Sequence, residues 1–218
     1  MLNMDFTQPV IIDTEAQPWL PSPAAGVERK PLARQDAESG HATSIVRYAS
    51  GARFKSHPHP LGEEILVLDG IFSDEHGDYP AGTYIRNPDG STHAPFSNDG
   101  CTLFVKLHQI QPGDDATVRT NMHNALWTQH TDGYQLLDLH RHQEEQVCLI
   151  RWTPSVTAHA FTPVKDAEIL VLNGTLQCGE TEYSEGHWLR LPEAAPLSPA
   201  QEIETLIWLK QGHLERTT

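Results

Sequence analysis

Two histidines one residue apart, His57 and His59, open the run His57-Pro58-His59-Pro60-Leu61-Gly62-Glu63-Glu64. Side chains at i and i+2 of a strand share a face, so both imidazoles can be presented to one point. Gly62 permits a bend, and a glutamate then arrives as an oxygen donor. Imidazole plus carboxylate suits a borderline divalent ion such as zinc, iron, manganese or nickel. One more donor is needed, and His93 stands further on in Pro88-Asp89-Gly90-Ser91-Thr92-His93. By eye, either Glu63 or Glu64 could supply the carboxylate.

The elements that must position these residues are short strands. Thr43–Tyr48, Ala52–His59, Ile65–Leu68, Tyr84–Arg86 and Leu103–Lys106 read as strands, with a polar hairpin tip over Ser73–Asp78. Many short strands divided by turn residues predict an all-β sandwich or barrel. Before them, residues 1–43 are rich in Pro and Gly and read as an extended N-terminal arm anchored by Trp19 and Leu20. A first barrel is expected over 44–110, a linker over 111–133 and a second barrel over 134–212.

The spacing around the candidate donors is specific. It runs Gly51, His57, His59, Glu63, Gly70, and then Gly82, Pro88, Gly90, His93. Together the two stretches resemble the paired motifs of the cupin family. The departure is Ser97, where that family often has Asn, a change in a turn rather than a ligand. The resemblance implies a double-stranded β-helix (jelly-roll) barrel and a single divalent metal held by His57, His59, Glu63 and His93. Within cupins the run from His57 to Gly82 is most similar to the cupin domain of ChrR-type anti-sigma factors, above all in Phe72-Ser73-Asp74-Glu75. In that family a separate zinc-bearing helical domain holds the sigma factor. No counterpart of it is read here, so a sigma factor is not an expected partner. The same subgroup is similar to non-haem iron dioxygenases that cleave dicarbonyl or hydroxyketone substrates. Two functions are therefore expected: a sensory or regulatory metal module, or such a dioxygenase. Four protein ligands leave one or two positions of an octahedral metal for water, dioxygen or a small-molecule ligand.

The first half recurs at an offset of 104 residues. Glu168-Ile169-Leu170-Val171-Leu172-Asn173-Gly174 answers Glu64-Ile65-Leu66-Val67-Leu68-Asp69-Gly70, and Gly186, Arg190 and Lys210 answer Gly82, Arg86 and Lys106. A repeat of this length means two copies of one domain, a bicupin. The four implied ligands map onto Phe161, Pro163, Ala167 and Leu197, so the second barrel is expected to be plugged by packing. Glu64 survives as Glu168 where Glu63 does not, which marks Glu64 as structural. It is expected to pair with a repeated basic residue, worth about 0–1 kcal/mol if the pair is exposed.

Other candidates are weaker. His140-Arg141-His142 with Glu144 and Glu145 reads as a solvent-facing strand edge. Phe54, Phe72, Tyr84, Phe96 and Phe104 fit a pocket lining and a barrel core equally well. The formal charge of −14 opposes nucleic acid and anionic lipid. The three cysteines, without a CxxC, suit a reducing, cytoplasmic setting. No apolar run reaches the length of a membrane span, and Met1–Leu20 lacks a basic leader. A small molecule at the metal is the expected partner, and self-association is left open. Unperturbed histidines titrate near 6.5, so metal release is expected below about pH 6.

Overall fold

Alternation along one strand organises the first half. In Glu63–Asp74, Ile65 and Val67 enter a core with Leu103, Val105, Val27 and Tyr48, while Glu64 and Leu66 turn to the other face. The computed structural model describes residues 1–37, 39–154, 159–200 and 203–214. Among these there are strands but no α-helix, and no helix is long and apolar enough to cross a membrane.

The chain divides into two units: Met1–Met4 with Gln17–Ala125, and Asp5–Ala16 with Leu126–Thr218. In the first, the main sheet runs in the spatial order Val118–Asn121, Thr83–Asn87, Glu63–Asp74, Cys101–Leu107, Ala42–Tyr48, Val27–Arg34, Leu20–Pro21. The short strands His57–Pro58 and Thr92–His93 pair beside it, with His57 opposite His93. In the second unit the order is Val10–Asp13, His187–Leu191, Ala167–Asn173, Thr205–Gln211, Glu145–Trp152, Tyr134–His142, Thr128–Gln129. The two orders correspond strand for strand, as two barrels of one design. Phe161 bridges Leu197 as His57 pairs with His93. Gly70 and Gly174 occupy the same bulged corner at φ 72° and 76°. A Cβ there would lie 2.2 Å from the Gly100 carbonyl oxygen or 2.3 Å from that of Glu204, so only glycine fits either copy.

Several boundaries differ from those read in the sequence. The arm over 1–43 is not one extended segment. Val10–Asp13 joins the second unit's sheet, and Val27–Arg34 is a full strand of the first. Pro31 hides that strand from pattern reading, and the structure absorbs it at a bulge between Pro31 and Ala33. The linker over 111–133 likewise contributes the strand Val118–Asn121 to the first sheet. Of the strand expected over Ala52–His59, only His57–Pro58 is a regular element, and Arg53 makes an isolated bridge to Phe96.

The outward glutamate stands opposite both Arg86 and Lys106 in the register. Arg86 Nη1 donates to Glu64 Oε1 at 2.7 Å, Tyr84 Oη donates to the same oxygen at 2.6 Å, and Arg86 Nη2 donates to Asp114. The second barrel repeats the ladder: Glu168 stands opposite Arg190 and Lys210, and Lys210 Nζ lies 3.0 Å from Glu145. These groups are buried, which the sequence left open. Removing one partner of a buried pair strands the other charge. Glu64→Gln is therefore expected to lower unfolding free energy by about 3 kcal/mol, read from urea titration. A change below about 1 kcal/mol would show that Asp114 alone satisfies Arg86.

Candidate metal centre

Three imidazoles converge at one end of the first barrel. His57 and His59 come from the short strand and the turn after it, and His93 from the strand that pairs with it. Their ring centroids lie 4.5 to 5.2 Å apart, and one nitrogen from each falls within 4.8 Å of the others. Among the described residues this is the one group of three metal-ligating side chains so arranged. Glu63 Oε2 lies 3.4 Å from His59 Nε2 and 3.5 Å from His93 Nε2. The bend that delivers it is tight. Leu61 and Gly62 both take positive φ, and a Cβ on Gly62 would lie 2.3 Å from Ile110 Cδ1.

Each ring is anchored through Nδ1. His57 Nδ1 lies 3.0 Å from the Lys55 carbonyl oxygen and donates to it. His59 Nδ1 lies 3.0 Å from Ser91 Oγ, which itself donates to the Pro88 carbonyl and so accepts from the ring. His93 Nδ1 lies 3.4 Å from Asp74 Oδ2. A proton on Nδ1 leaves the Nε2 lone pair facing inward. The Nε2 atoms of His59 and His93 are buried without a hydrogen-bond partner. Buried polar atoms are rarely left so, and a cation among three lone pairs and a carboxylate accounts for them. The donor set fits a borderline divalent metal.

An outer chain ties two corners together. Asn87 Nδ2 donates to Glu63 Oε2 at 3.0 Å, and Arg119 Nη2 donates to Asn87 Oδ1 at 2.5 Å. Arg119 Nε donates to Tyr79 Oη at 3.4 Å, and Tyr79 donates to Asp74 Oδ1 at 3.1 Å. The other Asp74 oxygen faces His93. Sequence reading missed Asn87, Arg119 and Ser91. Asn87 stands directly opposite Glu63, and Arg119 lies in the segment read as linker. Asp74 did carry a signal, since it belongs to Phe72-Ser73-Asp74-Glu75. That turn clamps the His93 strand: Glu75 accepts from the Ala94 amide at 2.8 Å, and Ser73 exchanges backbone hydrogen bonds with Phe96.

A cavity of about 450 Å³ opens beside the histidines and is lined by His57, His59, Glu63 and His93 at one wall. Of the five aromatic residues weighed from sequence, Phe54 and Phe72 line it. Tyr84 instead reaches Glu64, and Phe96 lies under the Arg53 guanidinium. In the second barrel Phe161, Pro163, Ala167 and Leu197 stand where the donors would be. Leu197 and Ala167 are fully buried, and Phe161 packs on the same core. Tyr134 and Trp152 hold the register positions of Val27 and Tyr48, so bulkier rings fill that barrel. His140 and His142 are half-buried, Arg141 between them pairs with Asp138, and Glu145 is buried against Lys210.

Burial, then the neighbouring His57, push the His59 imidazole down to about 4. Burial also lowers His93, against the opposing pull of Glu63. Proton competition at these nitrogens therefore sets in at lower pH than the value near 6 expected from unperturbed histidine. The sign for stability follows. Below the unfolded value of about 6.5 the unfolded chain binds more protons than the folded one. The contribution is whole above that value and is lost as pH falls. The metal-free protein is expected to lose urea resistance from about pH 6.5 downward, and His59→Gln should flatten that dependence. A wild-type midpoint that stays level across this range would show that the rings titrate normally.

A family model described as the ChrR Cupin-like domain matches residues 7–111 and again 115–215. No curated protein sequence matches the chain. Among solved structures, a candidate dioxygenase from Nostoc punctiforme superposes with a TM-score of 0.76 at 15% identity, covering 97% of this chain and 85% of that one. A bacterial pirin from Escherichia coli, solved with nickel(II), gives 0.67 at 14% identity over 93% and 98%. The oxalate decarboxylase of Lactobacillus farciminis, solved with formate, gives 0.65 at 10% identity over 93% and 86%. At these identities the likeness is one of fold.

Proposed function

The chain belongs to the ChrR cupin-like domain family, and from that premise we propose that its first barrel binds one divalent metal and presents it to a small organic molecule. His57, His59, Glu63 and His93 hold the ion, and the second barrel holds none. The observation that carries this reading is the cavity of about 450 Å³ walled on one side by all four residues. A closed structural site would have no use for that volume, which is within the range of small-molecule pockets. The solved nickel complex of the pirin supports a metal in a barrel of this fold.

The bound ion supplies Lewis acidity or, as iron, access to dioxygen. The protein's own residues do the rest. The Nδ1 anchors hold three lone pairs on one point, Asn87 and Arg119 orient the carboxylate, and the apolar wall of Phe54, Phe72 and Leu103 excludes water. The catalytic form of this reading is an oxygen-dependent cleavage of a diketone or hydroxyketone. A sensory module without turnover is the second reading, favoured because Glu63 is the one carboxylate among the cavity's described lining residues. Burial and the nearby Glu63 raise the Tyr48 phenol in the cavity wall well above its usual range.

Metal analysis separates these ideas from their alternatives. Dialysis against zinc is expected to leave about one ion per chain. Asp74→Asn should weaken zinc binding about 10- to 100-fold, Glu63→Gln at least as much, and Glu64→Gln not at all. Two ions per chain, or zinc lost from Glu64→Gln and kept by Glu63→Gln, would overturn the assignment.

Oxygen uptake then decides the use. Iron-loaded protein given acetylacetone or succinylacetone should consume dioxygen if it is the oxygenase. Binding of either diketone without uptake would establish the sensory reading instead.

A further inference from the structure

Alternate residues of the strand Ala42–Tyr48 line the cavity: Ala42, Ser44, Val46 and Tyr48. Ser44 ends the row Ile65, Val105, Ser44, whose apolar members line the same space. It is 5% exposed, and its Oγ has no hydrogen-bond partner among the described residues. The neighbouring hydroxyl, on the opposite face, is well served. Thr43 Oγ1 accepts from Lys106 Nζ at 3.1 Å and from Gln109 Nε2 at 3.2 Å. A buried hydroxyl without a partner forfeits its hydration for nothing in return, so its presence calls for a reason.

Among the described residues of the cavity wall, three buried side-chain atoms share this condition: His59 Nε2, His93 Nε2 and Ser44 Oγ. A cation between the imidazoles accounts for the first two. It does not account for the third. Glu63 stands in the row Glu63, Leu107, Ala42, so Ser44 is two strands across and two residues along from it. That is about 12 Å between backbones on a flat sheet, and less on one that closes into a barrel. Metal ligands lie about 2 Å from their ion, so the serine belongs to a different part of the cavity.

The second barrel shows what the position holds in a packed interior. There the row Ile169, Leu209, Cys148 takes the place of Ile65, Val105, Ser44, at the same offset of 104 residues. Cys148 is fully buried in a core with Tyr134, Ile150 and Leu209. A free cysteine in such a place behaves as a small apolar residue and needs no hydrogen bond. Serine and cysteine differ little in size, so packing alone does not select the hydroxyl. The barrel that keeps a cavity is the one that carries it.

We infer that Ser44 is a hydrogen-bonding contact for the ligand of the first barrel, and that this ligand carries a third oxygen beyond the pair facing the histidines. A 1,3-dicarbonyl compound with a further carbonyl along its chain has that form. Its paired oxygens face the histidine wall, its short apolar body lies against Val46 and Val105, and Ser44 Oγ donates to the third oxygen. A site built to hydrogen-bond a ligand group discriminates against the analogue lacking it, because the site's own buried group is then left unpaired. The assignment rests on the metal-centred reading for the two-oxygen end only. The serine end stands on the burial of an unmatched hydroxyl in the cavity wall.

Heptane-2,4,6-trione and heptane-2,4-dione, which differ by one carbonyl oxygen, are the probes. Calorimetry is run on zinc-loaded and on chelator-stripped protein. The wild type is expected to bind the trione about five- to tenfold more tightly than the dione, the net gain of one hydrogen bond. Ser44→Ala, and Ser44→Cys, which copies the second barrel, should each bring that ratio to about one. Zinc content should stay the same in both. Without ligand, Ser44→Ala should unfold at a higher urea concentration than the wild type, since it buries no unmatched hydroxyl. Added trione should then raise the wild-type midpoint by more than that of the variant, which a merely structural role would not predict. Equal affinity for the two probes or no binding of either in the wild type, a preference that survives Ser44→Ala, or earlier unfolding of the ligand-free variant overturns the assignment. Zinc bound without a trione preference defeats the serine contact alone. A preference that depends on Ser44 in protein that takes up no zinc supports the contact and defeats the metal reading.

Discussion

Hydrogen bonding at Nδ1 is the constraint on which the site depends. A free imidazole can offer either nitrogen, and three free rings would seldom aim the same one at the same point. Here a backbone carbonyl, a serine hydroxyl and an aspartate each occupy Nδ1, which leaves Nε2 as the inward lone pair on every ring. Geometry at the centre is thereby set by groups outside it. Asp74 is reached through Tyr79 and Arg119, and the same arginine reaches Glu63 through Asn87, so two corners share one support.

The two faces of the strand Glu63–Asp74 divide the work. Inward residues build the cavity wall, and outward residues build a ladder of buried charges that both barrels retain. Buried ion pairs are weak sources of net stability, because desolvation offsets most of the attraction. Their persistence in the barrel without the histidine cluster assigns them to the scaffold. The Glu64 and Arg86 pair also recruits Asp114 from beyond the last strand of the first repeat, which fixes the segment leading to Val118–Asn121 and hence Arg119.

One ancestral barrel has been used in two ways. In the second unit Tyr134, Trp152 and Phe161 fill the interior, as close packing favours. The first unit has Val27 and Tyr48 at the corresponding register positions and leaves about 450 Å³ open. An unfilled interior forgoes packing contacts, so its survival beside a cluster of histidines points to use rather than neglect. Among the described residues the second copy's core is packed, while the first keeps an open cavity.

Local spacing determined much of this in advance. Period-two alternation, punctuating glycines and the 104-residue repeat specified two β-barrels, since these signals are local and steric. Phe161 and Leu197 announced a plugged second barrel by their size and place. His57, His59, Glu63 and His93 were legible as a cluster because a strand and a glycine bend convert sequence spacing directly into proximity. Long-range pairing was not legible. No local rule told that Val10–Asp13 would join the second sheet, that Arg119 would come from an apparent linker, or that the proline-bearing segment Val27–Arg34 would pair with Ala42–Tyr48. Whether the Glu64 pair is exposed or buried likewise depends on neighbouring strands rather than on its own. Tertiary structure alone decided those, because sheet register and desolvation are properties of the closed barrel and not of any segment within it.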